Sequence, residues 1–272
     1  MYVSRVNFGR PANPKDNTDL ENAAEYYLVA LLRNGQVCGE YVLGWTKGCL
    51  TAYVYLPRPN AFKIKFHSEW AKECLVKSSE VFGHDPIWTV LEDDIPKRFQ
   101  SWKRAPSLYL FTAWPIHSPP VRRMDTGEPI PTYILPLSDR ERDEVYSWAY
   151  SYRNHDLIWT ESGTLEIAAY KQLIEPESEL STYGRQVCSN IEKAIHIPTY
   201  YYLFRYWGRK DEHKSRSCPS CGRKWRIRPR QEPFAPFSDF SFKCKKCRLV
   251  SHDACTDEDS RYARIGEYKP KR

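Results

Sequence analysis

Two CxxC pairs, Cys218-Pro-Ser-Cys221 and Cys244-Lys-Lys-Cys247, separated by 22 residues, constrain this chain more than any other feature. One tight turn can present two thiolates to a single ion, and two such turns supply the four tetrahedral ligands that zinc prefers. Gly222, directly after the first pair, suits a position that often requires positive φ. The spacing predicts a zinc ribbon, two knuckles joined by a β-excursion, with one Zn2+ held by Cys218, Cys221, Cys244 and Cys247. Four protein ligands leave no coordination position for water, so the metal is expected to be structural, not catalytic. Thioredoxin-type redox chemistry needs one pair beside a βαβ unit and fits less well. Iron fits the same four thiolates. His252 and Cys255 lie near enough in the chain to substitute, although four cysteines already complete the set.

Charge divides the chain in the same place. Residues 205–272 carry 19 Lys+Arg against 9 Asp+Glu, whereas residues 1–204 carry 22 against 25. The expected organisation is an α+β body over 1–204 followed by a basic ribbon and tail over 205–272. A basic segment on an acidic body points to a polyanion partner, nucleic acid first among them. Within it, Arg223-Lys-Trp-Arg-Ile-Arg-Pro-Arg230 reads as the strand leaving the first knuckle. Alternation sends Lys224, Arg226, Arg228 and Arg230 to one face, and Trp225 and Ile227 to the other, against Phe240 and Phe242. Lys245 and Lys246 add two cations at the second knuckle. These six side chains are the expected phosphate contacts of a DNA- or RNA-binding hairpin, with aromatics available for base stacking. The competing reading is a solvated edge strand whose cations discourage sheet-to-sheet aggregation.

The body reads as βαββαβ: a strand at 2–8, a helix from the capping box Thr18-Asp-Leu-Glu21 to about 33, strands at 36–45 and 49–56, a helix at 68–81 ended by Gly83, and a strand at 86–91. This is the order of a ferredoxin-like split unit. Residues 107–114 are expected to extend that sheet, and the proline-rich 115–137 to form a loop or linker. A helical part is expected over about 138–197, in which Ser138 caps a charged helix to about 152 and further helices cover 165–174 and 181–195. An aromatic strand at 199–207 follows, where Tyr200 and Tyr202 can share a face but Tyr201 cannot join them.

The stretches Leu157-Ile-Trp-Thr-Glu-Ser-Gly-Thr-Leu-Glu-Ile-Ala-Ala-Tyr170, Tyr183-Gly-Arg-Gln-Val-Cys188, Pro198-Thr-Tyr-Tyr-Tyr-Leu203 and the segment ending Phe242-Lys-Cys-Lys-Lys-Cys-Arg-Leu-Val-Ser251 resemble a bacterial family of Zn-ribbon-containing proteins considered candidates for nucleic-acid binding, a domain family of unknown function. The resemblance covers most of the chain and implies the zinc ribbon; it adds little about function.

Nothing in the sequence marks an enzyme. Walker A, GxGxxG, GxSxG and HExxH are absent, and 12 glycines leave little material for a phosphate-cradling loop. Acidic runs at 92–94 and 139–144 read as solvated faces, and Arg185 and Glu166 as a surface ion pair. No apolar run reaches the ~18 residues of a membrane span, and the Arg in the first eight residues argues against a secretory signal. Nine cysteines with two CxxC pairs favour the cytosol over a disulfide framework. The alternative to nucleic acid is a protein–protein interaction module, an adaptor or a toxin-neutralising, immunity-like protein, with a purely structural ribbon.

Overall fold

The structure, a computed structural model, describes residues 1–11, 17–91, 101–204, 217–227 and 240–252. It is α+β, with two sheets and several helices. The chain divides into two compact units, the first from Met1–Gln100, Ile116–Pro119 and Ile130–Ser147, the second from Ser101–Pro115, Pro120–Pro129 and Trp148–Arg272.

In the first unit β1 (Tyr2–Gly9), β2 (Cys38–Thr46), β3 (Cys49–Leu56) and β4 (Ile87–Val90) form an antiparallel sheet in the order β2-β3-β1-β4, accompanied by α1 (Asn17–Arg33) and α2 (Glu69–Phe82). Period-two alternation buries one face: Val6 and Phe8 of β1 and Leu50, Ala52, Val54 and Leu56 of β3 pack with Leu20, Tyr27, Leu28 and Leu31 of α1. The ends of α2 lie where the capping chemistry sets them. Ser68 accepts from the Ala71 amide at 3.2 Å, and Gly83 closes the helix in the left-handed conformation at φ 79°. For α1 the expectation is corrected: the helix is already running at Asn17, so Thr18 lies inside it, and the Glu21 carboxylate accepts from the Trp45 indole at 2.6 Å.

A buried polar knot closes this unit. The His67 ring faces the Tyr27 hydroxyl at 3.0 Å through Nε2 and the Gln36 amide nitrogen at 3.1 Å through Nδ1. With Gln36 donating to Nδ1, the neutral ring keeps its proton on Nε2. Burial holds the His67 pKa down at about 4, against 6.5 in a free histidine. The unfolded chain thus binds this proton at higher pH than the folded one. The stability His67 contributes is complete above pH ~6.5 and is lost progressively as the pH falls toward 4. Urea midpoints measured between pH 7 and 4 should fall, and His67→Gln should flatten that fall. An unchanged slope in the variant would refute the assignment.

The second unit is built on a mixed sheet in the order β6-β5-β7-β9-β8, from β5 (Leu108–Leu110), β6 (Val121–Arg123), β7 (Thr199–Tyr202), β8 (Phe242–Cys244) and β9 (Leu249–Ser251). Residues 107–114 therefore contribute β5 to this second sheet, not to the first. The proline-rich 115–137 is likewise more than a loop, for it contains β6 and a helical turn at Thr132–Ile134. Helix α3 runs Asp139–Glu161, longer than expected, and is followed by α4 (Glu166–Ile174) and α5 (Glu179–Ile195). Strand β7 is parallel to both β5 and β9 and is buried along its whole length, as central parallel strands are. That is why Tyr200, Tyr201 and Tyr202 are all core residues. Tyr201 meets Trp148 of α3 edge-on at 6.0 Å, and Tyr202 meets Phe111 at 4.8 Å.

Helix α5 can approach β7 only because position 184 is glycine. A Cβ there would sit 2.2 Å from Tyr201 Cε2 and 2.5 Å from Trp148 Nε1. Its N-terminus is fixed by Ser178, whose hydroxyl accepts from the Ser181 amide at 3.1 Å.

Candidate metal centre

The four cysteines of the two CxxC pairs converge. Their sulfurs all lie within 4.8 Å of one another, with Cys218 and Cys244 buried and Cys221 and Cys247 half-buried. Cys221 Sγ is 3.7 Å from Cys244 Sγ, close to the ~3.8 Å edge of a tetrahedron with metal–sulfur bonds of ~2.3 Å. The donor set fits one metal ion.

Each knuckle is shaped by its backbone. In the first, the Gly222 amide donates to the Cys218 carbonyl at 2.8 Å, and the Cys218 amide donates to the Arg223 carbonyl at 2.8 Å. Gly222 takes φ 68°. In the second, the Cys247 amide donates to Cys244 Sγ at 3.4 Å. Arg248, in the place corresponding to Gly222, takes φ 53°. A left-handed residue after the second cysteine is thus common to both turns, and only one of them uses glycine for it.

The thiols share their protons unequally. Burial works against the Cys221 thiolate but is outweighed by the hydrogen bond from the Arg223 amide and those from the other three cysteines, which bring its pKa down to about 7. Burial pushes the Cys218 thiol well up, and pushes Cys247 up to about 12. Metal binding at such a site releases the protons that Cys218 and Cys247 hold.

Only part of the predicted hairpin lies within the described residues. Bridges pair Ser217 with Lys224 and Arg226 with Phe242, and the Lys243 amide donates to the Trp225 carbonyl at 2.6 Å. Trp225 is buried and packs on Phe242 at 5.0 Å. Ile227 departs from expectation: it is exposed, where alternation assigned it to the packed face. Lys224 and Arg226 are exposed, with the Arg226 guanidinium 5.4 Å from the Phe242 ring centre, and Lys245 and Lys246 are exposed at the second knuckle. Arg228 and Arg230 lie outside the described residues, as do Cys255 and the acidic run at 92–94. His252 is not among the sulfurs; its Nδ1 lies 2.7 Å from the Tyr202 hydroxyl.

Sequence reasoning missed the anchor of the second knuckle. Arg248 forms a two-pronged ion pair with Glu192 of α5, at 2.9 Å and 2.7 Å, and Glu192 also accepts from the Thr199 amide of β7 at 3.1 Å. Arg248 and Lys243 both lie over the Tyr200 ring, at 5.4 Å and 4.4 Å. Two basic residues of the segment therefore serve the fold. The signal was available, because aligning the knuckles sets Arg248 where glycine is easier and asks what compensates it.

The other candidates are engaged elsewhere. Arg185 does not meet Glu166; it donates to the Pro176 carbonyl at 2.8 Å and lies 3.5 Å from Glu177. In the acidic run at 139–144, Glu141 completes a capping box with Ser138, Asp143 pairs with Arg33 at 2.8 Å, and Glu144 pairs with Arg140. Among the described residues no helix is long and apolar enough to cross a membrane.

Three domain families match successive stretches of the chain: Domain of unknown function (DUF8589) over residues 1–92, Domain of unknown function (DUF2310) over 103–204, and Domain of unknown function (DUF8594) over 208–256. None of them indicates a catalytic family. No solved structure matches the chain. Two proteins of Haemophilus influenzae (strain ATCC 51907 / DSM 11121 / KW20 / Rd), each described as "Uncharacterized protein", are 34% identical over 154 residues, or 56% of this chain. The match covers 71% of the first relative and 55% of the second, little more than half its length. The chain belongs to the same family as the first of these H. influenzae proteins.

Proposed function

We propose that Cys218, Cys221, Cys244 and Cys247 hold one structural zinc ion, and that the ribbon so formed binds nucleic acid through its phosphates. The observation that carries this reading is that Lys224 and Arg226, which follow the first CxxC pair, and Lys245 and Lys246, which lie within the second, are all exposed next in sequence to the four clustered cysteines. Arg228 and Arg230 continue the row in sequence. An all-thiolate donor set suits zinc, and with four protein ligands the ion has no position for a reacting water. Zinc would hold the two turns in register. The flanking side chains then contribute cations at fixed separations, which favours phosphate tracking over base reading. The resemblance to bacterial Zn-ribbon proteins agrees with this reading, and a tetrathiolate site beside buried free cysteines favours the reducing cytosol. The strand order β2-β3-β1-β4 likewise supports reading the first unit as a ferredoxin-like split unit.

The test is a salt titration of duplex binding. If four phosphates are neutralised, log affinity should fall against log salt with a slope near −3.6. Reversing charge at Lys224, Arg226, Lys245 and Lys246 should bring the slope close to zero without lowering the melting temperature. A flat response in the unaltered protein, or no binding at low salt, overturns the reading.

A further inference from the structure

The two knuckles reach the same turn by different means. Gly222 adopts its φ of 68° freely, whereas Arg248 holds φ 53° against the crowding of its own Cβ. What offsets that strain is a clamp. The Arg248 guanidinium donates through Nε and Nη2 to the two carboxylate oxygens of Glu192, at 2.9 and 2.7 Å, and through Nη1 to the Lys245 carbonyl at 3.0 Å. Lys245 is the first residue between Cys244 and Cys247. One side chain therefore ties the inside of the turn to helix α5. The Arg248 carbonyl accepts from the Tyr201 amide at 2.7 Å, and Glu192 is itself held by the Thr199 amide at 3.1 Å, both of β7. None of these bonds passes through a sulfur.

The first knuckle has no such clamp. Among the described residues, the backbone hydrogen bonds of residues 217–225 stay within that segment or reach Lys243 of β8. The four sulfurs thus come from unequal halves. Cys244 and Cys247 stand on a turn fastened to α5 and β7, and Cys218 and Cys221 on a turn that leans on β8.

We propose that Glu192 is a positioning residue of the metal centre: through Arg248 it holds the second knuckle in its ligating shape independently of the ion. The inference rests on the reading that the four cysteines hold one metal ion. Glu192 contributes no ligand. It spares the ion the cost of ordering a turn, because backbone that must be ordered on binding is subtracted from affinity. Groups that orient ligands without binding the metal are typically worth ~10–100-fold in metal affinity.

Co2+ and Zn2+ affinities of the full chain, measured against a chromophoric chelator at fixed pH, test this. Glu192→Gln should weaken both metals about 10-fold or more. The saturated Co2+ complex should keep its absorption spectrum, because the same four sulfurs still bind it. Arg248→Gly separates the clamp from the backbone. Glycine relieves the positive φ but removes the guanidinium, so binding should weaken, whereas a purely conformational role would leave it equal or tighter. Combining the two changes should add little to either alone, since both break one network. Ser178→Ala removes the N-cap at the far end of α5 and serves as the control for general destabilisation, with metal affinity unchanged. Equal or raised affinity in Glu192→Gln, a changed Co2+ spectrum, affinity retained in Arg248→Gly, fully additive losses, or an equal loss in Ser178→Ala each overturns the inference and leaves the metal centre standing. No metal bound by the unaltered chain overturns the metal reading itself, and this inference with it.

Discussion

Cys244→Ser is expected to abolish stoichiometric metal binding and to loosen the edge of the second sheet. Cys244 is the last residue of β8 and one corner of the sulfur cluster, so its loss removes a ligand from the strand that pairs with β9. Apparent binding free energies of ~10–16 kcal/mol for structural zinc in small peptides give the upper bound of the effect. A loss of even ~4 kcal/mol would lower the melting temperature of a domain of this size by roughly 8–16 °C. Elemental analysis should find one metal per unaltered chain and none in the variant, and a chelator should reproduce the drop in melting temperature. Equal metal content and equal melting would refute the metal centre. The pH dependence has a fixed sign. Cys218 and Cys247 are held protonated at neutral pH, so binding an ion must displace at least these two protons. Apparent affinity should therefore fall ~10²-fold or more per pH unit on acidification, and more steeply below about 7, where Cys221 also takes up a proton.

Gly184→Ala should destabilise the protein in spite of helix propensity. On an exposed helix surface the change gains up to ~1 kcal/mol. Here the new methyl would meet the rings of Tyr201 and Trp148 at 2.2 and 2.5 Å, and both rings are buried against each other. Overpacking of this kind costs ~1–3 kcal/mol or more. Shifting α5 away from β7 to relieve it would strain the bonds from Glu192 to Arg248 and Thr199. Urea denaturation should give a midpoint well below that of the unaltered protein, and Gly184→Leu should be worse. Equal or raised stability in Gly184→Ala would show that α5 can withdraw freely.

What the sequence made legible was whatever depends on near neighbours. The α2 boundaries follow from Ser68 and Gly83, and strand β3 from the alternation in Leu-Thr-Ala-Tyr-Val-Tyr-Leu. The sulfur cluster follows from two short turns whose geometry is local. What stayed hidden depends on distant partners. Strand β6 contains Arg122 and Arg123, both buried, and reads as surface because nothing nearby says that Arg123 will pair with Asp125 and Arg122 with the Gly127 carbonyl. Helix α3 continues past Tyr152 because Asp156 turns inward, where the Trp114 amide donates to its carboxylate at 2.8 Å and burial raises its pKa. The parallel pairing of β5 with β7 joins residues 91 positions apart, as Leu108 with Thr199, a closure that no local pattern announces. Within the candidate site, the ligands were legible and the Arg248 anchor was not, because Glu192 lies 56 residues away.

The parallel ladder between β7 and β9 has a practical corollary for anyone inclined to treat the cysteine hairpin as a portable cassette. Severing the chain ahead of it would strip β7 of one of its two neighbours, leave Glu192 without its guanidinium, and uncover the Tyr200 ring from the two cations that roof it. Both fragments would carry a raw strand edge, one of them lined with tyrosines, and such edges seek one another. The hairpin is better regarded as the closing flank of a sheet than as an appendage, and grafting experiments should carry α5 and β7 along with it.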